Sequence, residues 1–208
     1  MKFFDPYEAI HITQHRLPHW EQPGASYSIT FRLHDSLPES LLKIWREERR
    51  EWLACHPSPL PAELENEYHR LFSNRIDEWL DAGQGNCLLA EPACQDAVAE
   101  ALHFFDTERH HLVSWVIMPN HVHVCVILHP EVTLEQALFS WKRRSAGVIH
   151  RLRGTRGQVW MRDYFDRILR DEDHFRNVVR YIRRNPERAN LAEGRFRLWE
   201  SEMAKEIV

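Results

Sequence analysis

The chain lacks several features, and each absence narrows what it can be. No window of its 208 residues approaches the run of about 18 apolar residues that spans a bilayer. The opening MKFFDPYEAIHITQH holds no apolar core of signal-peptide length. Both absences predict a cytoplasmic protein with no membrane partner. Only four cysteines occur, Cys55, Cys87, Cys94 and Cys125, at no zinc or redox spacing, so they are read as small buried hydrophobes in a reducing compartment. There is no low-complexity tract and no repeat period. HExxH, further ligand clusters and barrel length are also missing, which argues against a metallohydrolase. With 43% hydrophobic and 28% charged residues, the composition is that of one globular domain over 1–208.

The net charge of −4 argues against a polyanionic partner only if the charge is uniform, and it is not. From Pro38 to Glu108 there are 6 Lys/Arg against 15 Asp/Glu, a net of −9; from Trp141 to Trp199 there are 16 against 7, a net of +9. The C-terminal part is basic enough to hold phosphate.

GASYSITFRL, Gly24 to Leu33, alternates as a strand after a Pro-Gly turn. Glu39–Cys55 and Ala62–Leu80 are helical in composition, with Trp45, Trp52, Phe72 and Trp79 expected to pack together or on the main body. This acidic stretch, about 39–91, is read as a helical insertion without catalytic content. A helix follows over Ala93–Asp106, opened by Pro92, then strands over His111–Met118 and His121–Leu128. Thr133 and Gln136 form a capping-box pattern for a helix whose stripe is Leu134, Leu138, Trp141, Val148, Ile149 and Leu152. Val159–Leu169 is a candidate strand. Asp171 caps a last helix with Phe175, Val178, Val179 and Ile182 facing the core, and Pro186 ends it just after Asn185. The order predicts an α+β fold: an antiparallel-rich sheet of four to five strands with helices packed on it, of ferredoxin or RRM type.

In WVIMPNHVHVCVIL, His121 and His123 stand two apart on a strand, so both imidazoles leave one face and can share a metal ion. Tyr181 and Asn185 lie about 40° apart on one edge of the last helix, bordering its core stripe. Taken singly these are weak signals. An HxH pair is more often a hydrogen-bonded structural pair, a tyrosine beside an apolar stripe is usually core edge, and basic residues are usually a solvated face.

In combination they carry a resemblance. MPNHVHV followed by VWMRDYFDRILRDEDHFRNVVRYIRRNPERANL resembles the HUH-superfamily single-tyrosine transposases, most closely the REP-associated tyrosine transposases. GASYSITFRL is similar to that group's first strand, and FSWKRRSAG to its segment between the histidines and the tyrosine. The resemblance covers about residues 24–36 and 110–196, and the stretch from Glu39 to about Pro92 departs from it. It implies an HUH fold in which His121, His123 and Asn185 hold Mg²⁺ or Mn²⁺ and Tyr181 is the nucleophile, with Tyr164 as a less suited second tyrosine. It further implies that single-stranded or hairpin DNA is nicked and rejoined through a 5′-phosphotyrosine. The basic set Lys142, Arg143, Arg144, Arg180, Arg183, Arg184 and Arg188 is expected to hold the strand, in a monomer or a homodimer. The rival reading is a domesticated protein that binds hairpin DNA or RNA without cutting it.

Overall fold

In the computed structural model, which describes residues 1–14, 18–56 and 61–208, the elements follow in this order. They are β1 (His11–Gln14), β2 (Pro18–Glu21), β3 (Ser26–Arg32), α1 (Glu39–Cys55), α2 (Ala62–Tyr68), a π-helical turn (His69–Ser73) and α3 (Asn74–Asp81). After a 3₁₀ turn (Leu88–Ala90) come α4 (Pro92–His103), β4 (His110–Ile117), β5 (His121–Leu128), α5 (Leu134–Arg153), β6 (Phe165–Ile168), α6 (Glu172–Arg188), β7 (Arg197–Glu200) and α7 (Glu202–Lys205). Five strands form one sheet in the order β6-β3-β5-β4-β7 with every pairing antiparallel, while β1 and β2 make a separate hairpin. The predicted α+β architecture is therefore the observed one. No helix of the described residues is long and apolar enough to cross a membrane.

Alternation along β5 sorts its side chains between two layers. Val122, Val124, Val126 and Leu128 join a core with α4 and α5, through Leu102, Leu138 and Trp141. Cys125 points the other way, where Val116 and Met118 meet Phe175, Val179 and Ile182 of α6. His121 and His123 share the Cys125 side. Both faces of β5 are thus covered, so the strand is apolar throughout except where the histidines stand. A third, smaller core joins Trp45 of α1, Phe72 of the π turn and Ile76 and Leu80 of α3, with Phe165 of β6 packed against it. Trp45 Nε1 donates to Phe72 O at 3.1 Å within it.

Several local expectations hold for their stated reasons. Thr133 and Gln136 form a reciprocal capping box, Asp171 accepts from His174 N at 2.7 Å, and Pro92 opens α4. All four cysteines are free thiols, of which Cys94 and Cys125 are buried as expected, whereas Cys55 is exposed and Cys87 half-buried. Others are corrected. Pro186 does not end α6, which continues to Arg188, because a proline late in a helix removes one bond but leaves the next turn able to close, as Ala189 N→Asn185 O at 3.1 Å does. Leu152 is 55% exposed rather than part of the α5 stripe, since the end of that helix, residues 151–153, is exposed all round. The candidate strand over 159–169 pairs regularly only over Phe165–Ile168. Sequence reasoning missed β1, β2 and β7, each of four residues, too short for alternation to register.

The β1–β2 hairpin anchors through a buried ion cluster. His19 is fully buried, stacks on Tyr164 with ring centroids 4.1 Å apart, and pairs with Asp166 and, at 3.4 Å, with Asp163. Burial by itself lowers the His19 pKa, but the two carboxylates together outweigh it and push the value up to about 9. A histidine raised in the folded state contributes stability that is fully present below about pH 6.5 and is lost as pH rises through 9. His19→Ala leaves two buried carboxylates uncompensated. It is expected to lower unfolding free energy at pH 7 by about 3 kcal/mol, measured by urea denaturation; no loss would show that the cluster contributes nothing.

Candidate metal and tyrosine site

The site is built at the turn between β4 and β5. Asn120 in that turn donates through Nδ2 to Leu80 O at 3.1 Å and to Gln84 O at 3.0 Å. Only an amide nitrogen can face two carbonyls, so the Asn120 oxygen is the atom 2.7 Å from His121 Nδ1. His121 Nδ1 therefore carries the proton, and His121 Nε2 presents a lone pair. That lone pair faces His123 Nε2 at 2.9 Å. Two ligands in adjacent positions on an ion, each with a bond of about 2.1 Å, stand roughly 3 Å apart, so this spacing suits shared metal ligation.

His123 is held from behind by Thr30 Oγ1, 2.8 Å from its Nδ1 and directly opposite it in the β3–β5 register. A hydroxyl both donates and accepts, so Thr30 supports either tautomer of His123: Nε2 protonated toward His121, or Nε2 free for a metal. Burial keeps both imidazoles neutral. His121 is lowered well below the usual histidine range, with His123 adding to the effect, and His123 falls to about 3, with Arg188 adding to it. Neutral rings are the ligating form.

Tyr181 reaches this pair from α6. Its ring lies edge-on to His123 with centroids 5.3 Å apart. Its hydroxyl is sealed from solvent without a hydrogen-bond partner among the described residues. Burial first, and Asp77 second, raise its pKa above the normal phenol value. The Asp77 carboxylate faces it, short of full hydrogen-bond geometry. One turn on, Asn185 is fully buried, and neither its oxygen nor its nitrogen has a partner among the described residues. A buried amide left unsatisfied is costly. Arg188 completes this edge, its guanidinium 5.0 Å from the Tyr181 ring centroid.

The acidic segment, expected to have no catalytic content, borders the candidate site. Asp81 Oδ1 lies 3.9 Å from His121 Nε2, and Asp77 lines, with Thr30, His123 and Tyr181, a cavity of about 340 Å³ between the sheet, α3 and α6. Burial pushes both carboxyls up to about 6; Tyr181 opposes the shift at Asp77 and Arg188 at Asp81. Nothing in the acidic run singled these two out, because the approach of α3 to β5 is a tertiary fact. Among the described residues no three His, Cys, Asp or Glu side chains are gathered tightly enough to form a metal cage by themselves.

The expected basic set is dispersed. Lys142 reaches three backbone carbonyls, Met161 O and Arg162 O at 3.1 Å and Asp163 O at 3.4 Å, and fastens α5 to the loop before β6. Arg143 and Arg144 are exposed on the far side of the sheet, over Phe139 and Phe104. Arg183 binds Glu200, Ala204 O and Ile207 O, and Arg180 binds Val208 O, so both tie α6 to the C-terminal segment. Arg184 is exposed. Of the seven, Arg188 is the one in contact with the tyrosine. Tyr164 is packed in the α5-side core, 5% exposed, against His19 and Lys142.

Residues 89–185 match the model of a family described as IS200-like transposases. Over this span the chain is similar to that family, in agreement with the transposase resemblance read from the sequence. The matched span contains His121, His123, Tyr181 and Asn185, together with β4, β5, α5 and most of α6. A solved structure, of a REP-associated tyrosine transposase bound to a REP hairpin, is similar at 13% identity and a TM-score of 0.46, over 87% of this chain and 76% of that one. No curated protein matches the chain. The matched span ends at Asn185, and α1–α3, with Asp77 and Asp81, lie outside it.

Proposed function

We propose that the protein nicks and rejoins single-stranded, hairpin-forming DNA through a covalent bond to Tyr181. The observation that carries the reading is the pair of buried neutral imidazoles, Nε2 atoms 2.9 Å apart, with the Tyr181 ring packed edge-on to the second of them. His121, His123 and Asn185 would hold a divalent ion, Mg²⁺ or Mn²⁺, with imidazole ligation favouring Mn²⁺. When bound, the ion supplies Lewis-acid stabilisation of the phosphoryl oxygens.

The chain's own groups account for the rest. Tyr181 Oη attacks phosphorus in line; the new bond is Tyr181 O–P, the bond broken is P–O3′, and the 3′ oxygen leaves as a hydroxyl after gaining a proton. The phenol proton goes to Asp77, the carboxylate facing it. Because Tyr181 is raised above its ordinary pKa while Asp77 stands near 6, the proton resides on the phenol at rest and moves only as the O–P bond forms. The reverse attack by a 3′-hydroxyl restores a phosphodiester with no nucleotide cofactor. Arg188, beside the ring, is placed to meet the phosphate charge.

Incubating the protein with Mn²⁺ and hairpin DNA carrying single-stranded flanks, then digesting with trypsin, is expected to yield a nucleotide-bearing peptide modified at Tyr181. A modification on any other residue would overturn the assignment. The rival reading, hairpin binding without cleavage, is favoured by the enclosed, unionised Tyr181 hydroxyl. Tight hairpin binding without any adduct in Mg²⁺ or Mn²⁺ would establish it.

A further inference from the structure

The helical segment α1–α3 contributes more than cover to this site. Helix α3 buries Ile76 and Leu80 in its own small core, each 1% exposed. Asp77 and Asp81 follow these by one residue each, about 100° round the helix, and so share the adjoining face. The C-terminal end of that face is fastened to the histidines, since Asn120 links Leu80 O to His121 Nδ1. The following loop is fixed as well. Gly85 has a φ of 84°, and a Cβ there would stand 2.6 Å from Asp35 O, while Asn86 N donates to Asp35 Oδ2 at 2.9 Å.

In this position Asp81 Oδ1 is sealed from solvent, has no hydrogen-bond partner among the described residues and stands 3.9 Å from the lone pair of His121 Nε2. A carboxylate oxygen sealed from solvent and given no hydrogen-bond donor is unfavourable unless a cation takes the space. Asn185, fully buried with both amide atoms unpartnered among the described residues, is an independent sign of the same deficit.

We propose that Asp81 is a ligand of the divalent metal, drawn in on binding because without the ion these side chains are not gathered round one point, so that His121, His123, Asn185 and Asp81 together present two nitrogens and two oxygens. This rests on the reading of the histidine pair as a metal site. Two ligands of one ion with bonds of about 2.1 Å stand between roughly 3.0 Å apart when adjacent and 4.2 Å when opposite. The 3.9 Å from Asp81 to His121 falls inside that range. Asp81 is also the one anionic member of the set. Two neutral imidazoles and an amide give a site without charge, and a carboxylate adds both charge and the hard oxygen that Mg²⁺ and Mn²⁺ prefer. On this view α3, outside the matched transposase span, tunes the metal affinity of the residues inside it.

The test is Mn²⁺ binding to the full chain without DNA, by titration calorimetry. Asp81→Asn, which keeps the shape and removes the charge, is expected to weaken binding by at least about tenfold, whereas Glu78→Gln, an exposed acid on the same helix, changes it less than about twofold. His123→Ala serves the underlying reading. If it binds Mn²⁺ like the parent, the metal site itself fails; if it loses binding while Asp81→Asn does not, the ligand role of Asp81 is overturned and the histidine site stands. Melting separates ligation from support. The Mn²⁺-induced rise in melting temperature should shrink in Asp81→Asn, with metal-free stability equal to or above that of the parent. Lower metal-free stability with an undiminished Mn²⁺ response would make Asp81 structural and overturn the proposal.

Discussion

Replacing Tyr181 with Phe is expected to abolish the covalent DNA adduct and, at the same time, to leave the fold no less stable. The two effects have one cause. The Tyr181 hydroxyl is buried without a partner among the described residues, and the carboxylate of Asp77 disfavours its ionisation. Folding therefore loses the hydration of a phenol and regains no full hydrogen bond for it. An unsatisfied buried hydroxyl costs about 1–3 kcal/mol, so its removal should raise unfolding free energy by up to about 1 kcal/mol after some relaxation. The ring, which packs against His123 and lies beneath Arg188, is unchanged in Phe. Adduct formation is read on a denaturing gel and stability by urea titration. An adduct that persists would sink the nucleophile assignment. A loss of more than about 1 kcal/mol would show instead that the hydroxyl is bonded in the folded protein.

The same pairing of strain with placement explains what could be read in the sequence. His121 and His123 were legible because a strand's two-residue period is rigid: once WVIMPNHVHVCVIL is a strand, both imidazoles must leave one face. Tyr181 and Asn185 were legible because Phe175, Val178, Val179 and Ile182 fix which edge of α6 borders the core. Asp77 and Asp81 were not, although they follow Ile76 and Leu80 with the same one-turn spacing. The charge of a helix face says nothing about what approaches it, and in a stretch with 15 acidic residues these two have no distinguishing pattern. The roles of Asn120 and Thr30 depend on register, Thr30 opposite His123, which alternation within one strand does not reveal. The basic set is dispersed for a related reason. A run such as Lys142-Arg143-Arg144 turns through about 200° of helix, so its members face different neighbours, and one of them was claimed by loop carbonyls.

Asp77→Asn is expected to slow adduct formation by about 10²–10³-fold, the usual cost of losing a positioned proton acceptor. It should also remove a feature of the pH profile. The charged and titratable groups around Asp77 are Asp81 on its own helix, Tyr181 and Arg188 on α6, and Arg167 on β6. Burial and Asp81 push its pKa up; Tyr181, Arg167 and Arg188 oppose them, with a net value of about 6. Asp77 accepts a proton only when ionised, so the parent rate should rise with pH through about 6 and then level off. At saturating Mn²⁺ any ligand carboxylate is held ionised, which assigns the remaining inflection to Asp77. In stability the sign is opposite. A carboxyl whose folded pKa is raised above its ordinary value of 3.8 favours the folded state most below that value, and the benefit is lost as pH rises through 6. Asp77→Asn should therefore be more stable than the parent near pH 8 and no more stable near pH 4. A slow variant whose rate still rises through pH 6 would mean that Asp77 only positions Tyr181. An unchanged rate would mean that the phenol proton leaves by another route.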